Sequence, residues 1–385
     1  KMKVLILGAD GYLGWPTTMY FSNKGCKVYA VDNLSKRKIE SEFGTEPLNF
    51  LKPFRERVKT WNKNQKNQIS YLVADLLNYK VLCEILEEFR PDTIIHYAEQ
   101  PSAPYSMASR EKAVFTQHNN VIGNLNLLFA MKKFCPDSHL IKLGTMGEYG
   151  TPNIDIEEGW LELEHNGRKD KVLYPKKPGS FYHLSKVHDS ANIEFACRIW
   201  GLKCTDLNQG FVYGISTDEM ELDYENLSTA FHYDSIFGTI INRFITQTAC
   251  KKDMTVYGKG NQKRAFLNIS DTINCVSIAC ENPPKNGEFR VFNQFTEFCS
   301  LNEIATRIQD YANNNKIKSK ISHIENPRIE EEDHYYNPKN TSLISLGLKP
   351  IIMDDKQIDK IFKLVKQNQN RVNINTLNPY IKWKK

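Results

Sequence analysis

The fold of this 385-residue chain is decided by one stretch near its start, Lys3-Val4-Leu5-Ile6-Leu7-Gly8-Ala9-Asp10-Gly11-Tyr12-Leu13-Gly14. The apolar run at its beginning predicts a strand that is buried on both faces of a sheet. The glycines that follow allow a tight turn and let the backbone approach a ligand closely. A helical segment and a second apolar run over residues 26–31 come next. The order is therefore strand, glycine-rich turn, helix, strand.

The second strand ends at Asp32. An acid at this distance from a glycine-rich turn is typical of a Rossmann unit, in which the carboxylate accepts hydrogen bonds from a ribose. The helix N-terminus offers N–H groups to a diphosphate. The acid favours NAD over NADP, although the nearby cations of Lys36 and Arg37 could accept a 2′-phosphate. The first residues of the predicted NAD site are Gly8, Gly11, Tyr12, Leu13, Gly14, Asp32, Asn33, Ser35, Lys36 and Arg37.

The alternation of strands and helices continues to about residue 210. Apolar runs over residues 69–73, 93–96, 139–143 and 202–207 predict four further strands, separated by helical patterns. We therefore expect residues 1–210 to form an α/β domain, a doubly wound parallel Rossmann sheet that binds NAD. Polar groups at strand ends and on the helix over residues 110–134 extend the predicted cofactor site to Asp75, Leu76, Gln100, Asn119 and Gln209.

Two insertions interrupt this domain. Residues 36–68 carry an amphipathic helical stretch whose expected role is core packing, and residues 151–178 contain the turn Asn166-Gly167, which predicts a surface hairpin. After residue 210 helices over about 235–250 and 301–314 mix with short strands. Residues 211–385 are therefore predicted to form a smaller mixed α/β lobe that binds substrate, with a segment over about 265–300 returning to the first domain. The polar tail beyond about residue 370 is expected to extend over the surface.

The composition excludes several classes of protein. A hydrophobic content of 41% and a charged content of 25% are ordinary for a soluble globular protein, and no apolar run is long enough to insert into a membrane. The net charge of +6 is scattered and not interleaved with aromatic residues, which argues against nucleic-acid binding and suits an anionic small substrate. Nine cysteines without a Cys-x-x-Cys pair predict free thiols, no metal site and, with no secretory signal, a cytoplasmic protein.

The spacing Tyr-x-x-x-Lys places a phenol and an ammonium on one face of a helix, an arrangement that makes a base because a nearby cation favours the phenolate. The spacing occurs four times, at Tyr20/Lys24, Tyr182/Lys186, Tyr335/Lys339 and Tyr380/Lys384. Ligands of a doubly wound sheet collect at the carboxyl ends of its strands. Thr145 ends the fifth predicted strand and Tyr182 begins the next helix, so Thr145, Tyr182 and Lys186 are predicted to converge on the nicotinamide.

These features resemble, in order, those of the extended short-chain dehydrogenases/reductases that act on nucleotide sugars. The resemblance includes the glycine motif, Asp32, Asp75-Leu76, Asn119, Thr145, Tyr182 and Lys186, and residues 257–271 resemble the family's nucleotide-diphosphate segment. Four blocks, residues 102–107 with 116–120, 142–159, 180–190 and 289–297, are similar to the branch of the family that transfers sulfite to UDP-glucose.

The resemblance implies a reaction in four stages. Carbon 4 of the sugar is oxidised, the carbon 5 proton and the 6-hydroxyl are eliminated, sulfite adds at carbon 6, and carbon 4 is reduced again. It implies that Tyr182 is the base of the oxidation, that Lys186 lowers its pKa and holds the cofactor's ribose, and that Thr145 hydrogen-bonds the 4-oxygen. NAD is expected to stay tightly bound and be recycled. A homodimer built on the helices at about 110–134 and 180–200 is also implied.

The residues after Thr145 separate this chain from the sugar 4,6-dehydratases of the same family. Those enzymes carry Asp-Glu for the elimination, whereas this chain has Met146-Gly147. The acid/base group is therefore expected elsewhere, with His183 as first candidate and Glu148 as second. The alternative is that His183 only packs or hydrogen-bonds the backbone. Plant members of the branch have Arg where this chain has Pro101, so the sulfur anion is expected to be held in another way.

The resemblance also implies the UDP site. Asn208 and Arg264 are expected to meet the diphosphate, with Arg328 as a second cation or, alternatively, a surface ion pair. The predicted substrate-binding residues are Thr145, Tyr182, Asn208, Gln209, Arg243, Tyr257, Arg264, Gln294 and Arg328. Two other functions stay open, a UDP-sugar 4-epimerase and a catalytically inactive NAD-sensing or RNA-binding module. The second would not need the set of Thr145, Tyr182 and Lys186.

Overall fold

A computed structural model describes residues 1–384, and a seven-stranded parallel sheet organises it. The strands are β1, Lys3–Leu7; β2, Lys27–Asp32; β3, Ile69–Val73; β4, Thr93–His96; β5, His139–Thr145; β6, Trp160–His165; β7, Arg168–Leu173; β8, Lys203–Gln209; β9, Phe211–Tyr213; β10, Met254–Tyr257; β11, Lys263–Asn268; β12, Phe289–Gln294; β13, Glu297–Ser300; and β14, Ile321–Ile324. The central sheet has the order β3-β2-β1-β4-β5-β8-β12, with every pair parallel. This order confirms the predicted doubly wound Rossmann sheet.

Helices cover both faces of the sheet. They are α1, Gly14–Asn23; α2, Ser35–Phe43; α3, Phe54–Asn64; α4, Tyr79–Phe89; α5, Ala103–Met107; α6, Arg110–Gln117; α7, Gly123–Phe134; α8, Phe181–Trp200; α9, Asp218–Glu221; α10, Tyr224–Leu227; α11, Ile240–Ala249; α12, Ile269–Glu281; α13, Leu301–Asn314; α14, Thr341–Ser345; and α15, Asp355–Gln367. Helices α1, α3 and α12 pack in one core, where Trp15 and Trp61 are fully buried. Helices α4, α7 and α8 pack in a second core that includes Leu127 and Ile193.

The two insertions have separate structures. Residues 36–68 supply most of α2 and all of α3, and Phe54, Val58 and Trp61 of α3 are buried in the core, as the amphipathic pattern predicts. Strands β6 and β7 pair in the predicted antiparallel hairpin. Its turn residues Asn166 and Gly167 have φ of 50° and 73°, which is the backbone that a two-residue hairpin turn requires.

The prediction of a single helix over residues 110–134 is wrong in one detail. A π-helical turn, His118–Ile122, separates α6 from α7. Within this turn the Asn120 amide donates to the carbonyl oxygen of Gln100 at 3.2 Å and to Ser185 Oγ at 3.0 Å. These bonds fasten the turn to the loop after β4 and to α8. Such π-helical turns are frequent at functional sites, and Asn119 of this turn lines the cavity described below.

The C-terminal lobe has its own core. Helices α11, α13 and α15 pack against β10 and β11, with Phe244, Ile304 and Ile361 fully or almost fully buried. Strands β9, β11 and β13 form one small sheet, and β10 pairs with β14. Strand β12, which lies within the segment predicted to return to the first domain, forms the edge of the central sheet beside β8.

Three further properties concern the whole described chain. All nine cysteines are unpaired. Within residues 1–384 no group of three or more His, Cys, Asp or Glu side chains is arranged to hold a metal ion. None of the helices described is long and apolar enough to span a membrane.

Candidate active site

A cavity of about 930 Å³ lies between the carboxyl ends of the central strands and the C-terminal lobe. The sequence-predicted residues that line it are Gly8, Gly11, Tyr12, Leu13, Gly14, Asp32, Asn33, Ser35, Lys36, Arg37, Asp75, Leu76, Asn119, Thr145, Tyr182, His183, Gln209, Arg243, Tyr257, Arg264 and Arg328. Residues from both lobes thus share one cavity, as expected for a doubly wound sheet with a substrate lobe. Five other predicted residues, Lys186, Glu148, Gln100, Asn208 and Gln294, do not line it.

The glycine-rich loop is shaped for a diphosphate. A Cβ atom at Gly14 would lie 1.9 Å from the carbonyl oxygen of Gly8, so no other residue fits where the loop enters α1. The N-cap residue of α1, Leu13, provides no capping side chain, and the first turn contains no acid. The N–H groups at this helix start are therefore left for an anionic ligand, and the loop fits the diphosphate of NAD.

The acid at the end of β2 lies beside this loop. The Asp32 carboxylate accepts backbone N–H groups from Asp10 at 2.9 Å and from Leu34 at 2.7 Å. Burial, and then the charge of Asp10, raise the pKa of Asp32 from 3.8 to about 6. No lysine or arginine pairs with Asp32 among the described residues, so its carboxylate is available to ribose hydroxyl donors.

The two cations that made the choice between NAD and NADP ambiguous are already paired. Arg37 forms a two-pronged ion pair with Asp10, with distances of 2.6 and 2.8 Å. Lys36 lies 3.7 Å from Glu40. A 2′-phosphate would have to compete with these carboxylates, so the geometry fits NAD better than NADP.

A segment of the C-terminal lobe covers this half of the cavity. Thr229 Oγ1 donates to the carbonyl oxygen of Tyr12 at 2.8 Å, and the Asn49 amide donates to the carbonyl oxygen of Thr229 at 2.8 Å. Further along, His232 contacts Glu40 at 2.9 Å, and both line the cavity. Residues 228–236 therefore fasten the glycine-rich loop and the first insertion to the second lobe. The sequence offered no signal for this, because each contact joins residues far apart in the chain.

At the catalytic end, Thr145 terminates β5 and Tyr182 lies in the first turn of α8. Ser180 caps this helix and accepts the N–H of His183 at 3.1 Å. The Lys186 ammonium lies 5.8 Å from the centre of the Tyr182 ring, donates to the carbonyl oxygen of Leu143 at 2.7 Å and pairs with Glu99 at 2.6 Å. Tyr182 faces the cavity, whereas Lys186 is buried behind it.

One electrostatic expectation for this end is wrong. The pKa of Tyr182 is raised and not lowered, because burial and the negative charge of Glu99 outweigh the positive charge of Lys142. Glu99 lines the cavity and was not predicted as a site residue. Burial of the phenol, which the spacing of tyrosine and lysine does not reveal, is the larger cause of the raised pKa, and the charge of Glu99 adds to it.

His183 occupies the space that distinguishes this chain from the dehydratases. A Cβ atom at Gly147 would lie 2.4 Å from both Cδ2 and Nε2 of His183. The imidazole therefore fills the position of the missing side chain at 147, while Nδ1 contacts Ser180 Oγ at 2.8 Å. Burial, and then the charges of Arg328 and Arg264, lower the pKa of His183 to about 3, so the ring is neutral.

Glu148, the second acid/base candidate, is corrected by the structure. Its side chain is fully buried and does not reach the cavity. One oxygen contacts the N–H of Thr145 at 3.4 Å, and the other pairs with Lys176 at 2.5 Å and accepts from Ser190 at 3.1 Å. Glu148 therefore supports the turn after Thr145 and makes no direct contact with the site.

Three other residues that were predicted to contact ligands also do not reach the cavity: Asn208, Gln294 and Gln100. The Asn208 amide is buried and donates to the Tyr149 hydroxyl at 2.8 Å. The Gln294 amide donates to the carbonyl oxygen of Thr272 at 3.1 Å. Gln100 donates to Thr116 Oγ1 at 2.9 Å. Polar residues at strand ends were predicted to face the ligand, but these side chains satisfy buried partners inside the domain.

Three arginines of the C-terminal lobe, here called the arginine group, line the cavity: Arg243, Arg264 and Arg328. The Arg243 guanidinium stacks 4.3 Å above the Tyr257 ring, and its Nε is buried without a partner. Arg264 pairs with Glu330. Burial, opposed by Glu330 and reinforced by the charge of Arg264, lowers the pKa of Arg328. The group contains three cations and one neighbouring carboxylate, which suits a ligand with more than one negative charge.

The C-terminal tail takes part in the site, which corrects the expectation that it only extends over the surface. Pro379, Ile381 and Trp383 line the cavity. The Trp383 indole N–H donates to the carbonyl oxygen of Gly179 at 2.7 Å, and the Trp383 backbone N–H donates to the carbonyl oxygen of Pro327 at 2.8 Å. Trp383 thus joins the loop before α8 to the loop that carries Arg328. An isolated tryptophan in a polar tail was the available sequence signal.

Comparison with known proteins agrees with this site. Residues 4–293 match the NAD dependent epimerase/dehydratase family. The chain belongs to this family, and NAD is the cofactor on which the family depends. Its glycine-rich loop, Asp32, Thr145 and Tyr182 all lie within the matched residues.

Two relatives with the same name show which members of the family the chain is similar to. The chain is 47% identical to UDP-sulfoquinovose synthase of Spinacia oleracea over all of its 385 residues, covering 80% of that protein. It is 41% identical to UDP-sulfoquinovose synthase of Sulfolobus acidocaldarius over 91% of its own length and 88% of the relative. Among solved structures, UDP-glucuronic acid 4-epimerase of Bacillus cereus, in complex with UDP-glucuronic acid and NAD, matches 95% of this chain and 99% of that one, with a TM-score of 0.70 and 18% identity. At that identity the structural match supports the fold alone.

Proposed function

We propose that this chain is a UDP-sulfoquinovose synthase, which converts UDP-glucose and sulfite to UDP-sulfoquinovose and water with a recycled NAD. Its identity to two such synthases over most of their length supports this reaction. The structural observation that carries the proposal is the His183 imidazole in the space beside Gly147. It replaces the carboxylate that dehydratases of the family use and leaves a nitrogen base at the catalytic end.

The first stage is oxidation at carbon 4. When bound, NAD accepts the hydride from this carbon and returns it at the end of the cycle. Tyr182 takes the proton of the 4-hydroxyl, and Thr145 donates a hydrogen bond to the 4-oxygen. Both residues line the cavity, and the bond from the N–H of Gly147 to Thr145 Oγ1, at 3.1 Å, fixes the threonine side chain. This stage makes a 4-ketone, which acidifies the proton on carbon 5.

The second stage is the elimination. His183 Nε2 takes the proton from carbon 5, and the 6-hydroxyl leaves as water when it receives a proton from the imidazolium. Nδ1 holds the ring against Ser180. The low pKa of His183 depends in part on the arginine group. A diphosphate bound there would compensate those charges and raise the pKa of the imidazole, which couples substrate binding to the base strength that this stage needs.

The third stage is the addition of sulfite. A sulfur–carbon bond forms at carbon 6 of the unsaturated ketone, and the proton of hydrogen sulfite passes to carbon 5. Return of the hydride to carbon 4 and of the proton from Tyr182 to the 4-oxygen would complete the cycle. Pro101 lines the cavity and offers no charge. Lys177 lies in the loop that leads to His183, lines the cavity and has no ion-pair partner among the described residues. We assign it as the cation that attracts sulfite.

The cofactor is proposed to remain bound between turnovers. No net oxidation occurs, so exchange of NAD is not required. Residues 228–236 close this half of the cavity through Thr229, Asn49 and His232, as described above. These bonds would have to open for NAD to leave, which supports a cofactor retained through the cycle.

The protein is also proposed to be a homodimer. Large apolar side chains are exposed along the two helical regions that the sequence predicted as the interface: Val114, Ile122, Phe129, Phe195 and Ile199. Two helical regions per subunit would form a four-helix contact with their exposed apolar faces covered. The unpaired cysteines suit a reducing compartment, and we propose the cytoplasm.

The function is tested by supplying the purified protein with UDP-glucose, with and without isotopically labelled sulfite. We expect a UDP-sugar that carries the label, and only when sulfite is present. Tyr182→Phe should lower the rate by about 10²–10⁴-fold because the base of the first stage is lost. Tyr335→Phe is the control, because Tyr335 has the same lysine spacing but lies in an exposed loop. Formation of UDP-galactose without sulfite would instead identify a UDP-sugar 4-epimerase.

A further inference from the structure

Behind Tyr182 lies a group of charged side chains that the proposed reaction does not use directly. Lys142 of β5 pairs with Glu99, which follows β4, and lies 3.3 Å from Asp189 of α8. Glu99 also pairs with Lys186 at 2.6 Å. These four residues, here called the lysine–carboxylate cluster, have side chains that are at most 4% exposed. The burial of four ionisable groups is costly in free energy, because each charge loses its hydration. Such a cluster therefore points to a role beyond packing.

The cluster holds Lys186 in one place. The Lys186 ammonium has two contacts, with the carbonyl oxygen of Leu143 at 2.7 Å and with Glu99. Glu99 is fixed in turn by Lys142, whose ammonium donates to its other oxygen. Lys142 and Leu143 are adjacent on β5, the strand that ends at Thr145. The cluster therefore ties Lys186 to the same strand that carries the threonine of the site.

We propose that Glu99 and Lys142 are positioning residues, which hold Lys186 beside Tyr182 and set the charge that acts on the phenol. The inference rests on the proposed function for the role of Tyr182 as base. It adds Lys142 of β5 and Glu99 of the loop after β4 to the pair on α8. Neither residue is implied by the spacing of Tyr182 and Lys186.

The charges of the cluster act on Tyr182 in opposite directions. Glu99 raises the pKa of Tyr182, and Lys142 lowers it. Burial lowers the pKa of Lys186, and here too Glu99 raises the pKa whereas Lys142 lowers it. Burial opposes the ionisation of Glu99, but Lys142 and Lys186 together hold its pKa well below the usual range. Glu99 is therefore an anion over the working range of pH.

Three more titratable groups belong to the cluster or lie near it: His96, Asp189 and Asp206. His96 of β4 lies 3.5 Å from Glu99, and burial and Lys142 lower its pKa to about 3, so it is neutral. Burial and the charge of Glu99 raise the pKa of Asp189 well above its usual range. Burial and the charge of Glu148 raise the pKa of Asp206 of β8 to about 6. Glu99 is therefore the carboxylate that pairs with both lysines of the cluster.

Two substitutions separate positioning from simple structural support. Glu99→Gln removes the negative charge and Lys142→Met removes the positive one, each with little change in size. The measurement is the rate at which UDP-glucose reduces the bound NAD, followed by absorbance as a function of pH. We expect each variant to be slower by about 10–100-fold at its optimum, because Lys186 loses its fixed position. The pH profile should move to lower pH in Glu99→Gln and to higher pH in Lys142→Met.

The opposite directions decide the inference. A role in stability alone would lower the melting temperature of both variants without moving the profiles apart, and that result would overturn the proposal. Glu297→Gln is the matched control, because Glu297 pairs with Arg307 in the C-terminal lobe, and its profile should equal that of the parent. A crystal structure of Lys142→Met should show Lys186 displaced from the carbonyl oxygen of Leu143. If the parent protein shows no reduction of NAD by UDP-glucose, the proposed function fails and the inference that rests on it fails too. If the parent reduces NAD and the two pH profiles do not separate, the inference alone fails.

Discussion

The lysine–carboxylate cluster and the arginine group both gather positive charge at the cavity, but they compensate it differently. In the cluster, two lysines share two carboxylates, and all four side chains are buried. In the arginine group, three guanidinium groups have Glu330 as their neighbouring carboxylate. The Nε atom of Arg243 is buried without a partner. The first arrangement is complete within the protein, whereas the second leaves charge for a ligand to compensate.

The lysine–carboxylate cluster and the arginine group therefore have different roles. A cluster whose charges already satisfy one another fixes its side chains before substrate arrives, which suits the positioning of a catalytic base. A group with uncompensated charge gains free energy when an anionic diphosphate binds. Substitutions near the cluster should therefore lower kcat, and substitutions in the arginine group should raise the KM for UDP-glucose.

Among the substitutions that compare these two groups, the largest effect is expected at Gly147, next to the catalytic end. Gly147→Ala places a methyl group 2.4 Å from two atoms of the His183 ring, so the imidazole must move. A displacement of about 1 Å at a catalytic group can cost about 10²-fold in rate. We expect kcat to fall by about this factor while the KM for UDP-glucose changes little, as measured by steady-state kinetics with saturating sulfite.

A double variant identifies the cause. If Gly147→Ala acts through His183, adding it to His183→Ala should cause almost no further loss, because the group that it displaces is already absent. Effects that multiply would show that the glycine is needed for another reason, such as the turn after Thr145.

An intermediate effect is expected at Arg328 in the arginine group. Hydrogen bonds to charged groups contribute about 1.5–3 kcal/mol, so Arg328→Gln should raise the KM for UDP-glucose by about 10–100-fold. The dissociation constant of UDP, measured by calorimetry, should rise by a similar factor and depend less on salt than in the parent. Arg307→Gln is the control, because Arg307 pairs with Glu297 outside the cavity. A lower kcat with an unchanged KM would contradict the division of work between the two ends.

Local patterns in the sequence were enough to place the glycine-rich loop, Thr145 and Tyr182 at one cavity. The glycine-rich turn, Asp32 and the tyrosine–lysine spacing each lie within one strand–helix unit, and the order of strands then placed Thr145 beside Tyr182. The sheet could be predicted for the same reason, because buried parallel strands are continuous apolar runs. Gly147 was recognised as a departure from the dehydratases, and the structure supplies its physical partner in His183.

Contacts between distant parts of the chain could not be predicted in this way. Glu99 follows β4 and Lys142 lies on β5, and only the folded sheet shows that they pair. Asn208 was placed at a strand end, but its side chain turns inward to Tyr149. Trp383 reaches Gly179 across 204 positions of sequence. The direction of a side chain at a strand end depends on neighbours that periodicity does not reveal.

The smallest effect is expected from pH at Asp32, a carboxylate that, unlike Glu99, has no ion-pair partner among the described residues. Its pKa of about 6 lies above the ordinary value of 3.8, so the folded protein binds a proton there between about pH 4 and 6 that the unfolded chain has released. This group therefore lowers the free energy of unfolding as pH rises through that window. Ribose hydroxyls need the ionised carboxylate, so NAD should bind more weakly below about pH 6, by up to about tenfold per pH unit.

Equilibrium dialysis of NAD against the protein from pH 7 to pH 5 measures this dependence. In Asp32→Asn the affinity should be lower at pH 7 and almost constant over the range, since the amide does not titrate. An equally steep dependence in Asp32→Asn would assign the titration to another group. In that case the unpaired Asp32 carboxylate would behave like Glu99, whose charge is compensated by lysines. The contrast between charges compensated within the protein and charges left for a ligand would then not extend to the NAD site.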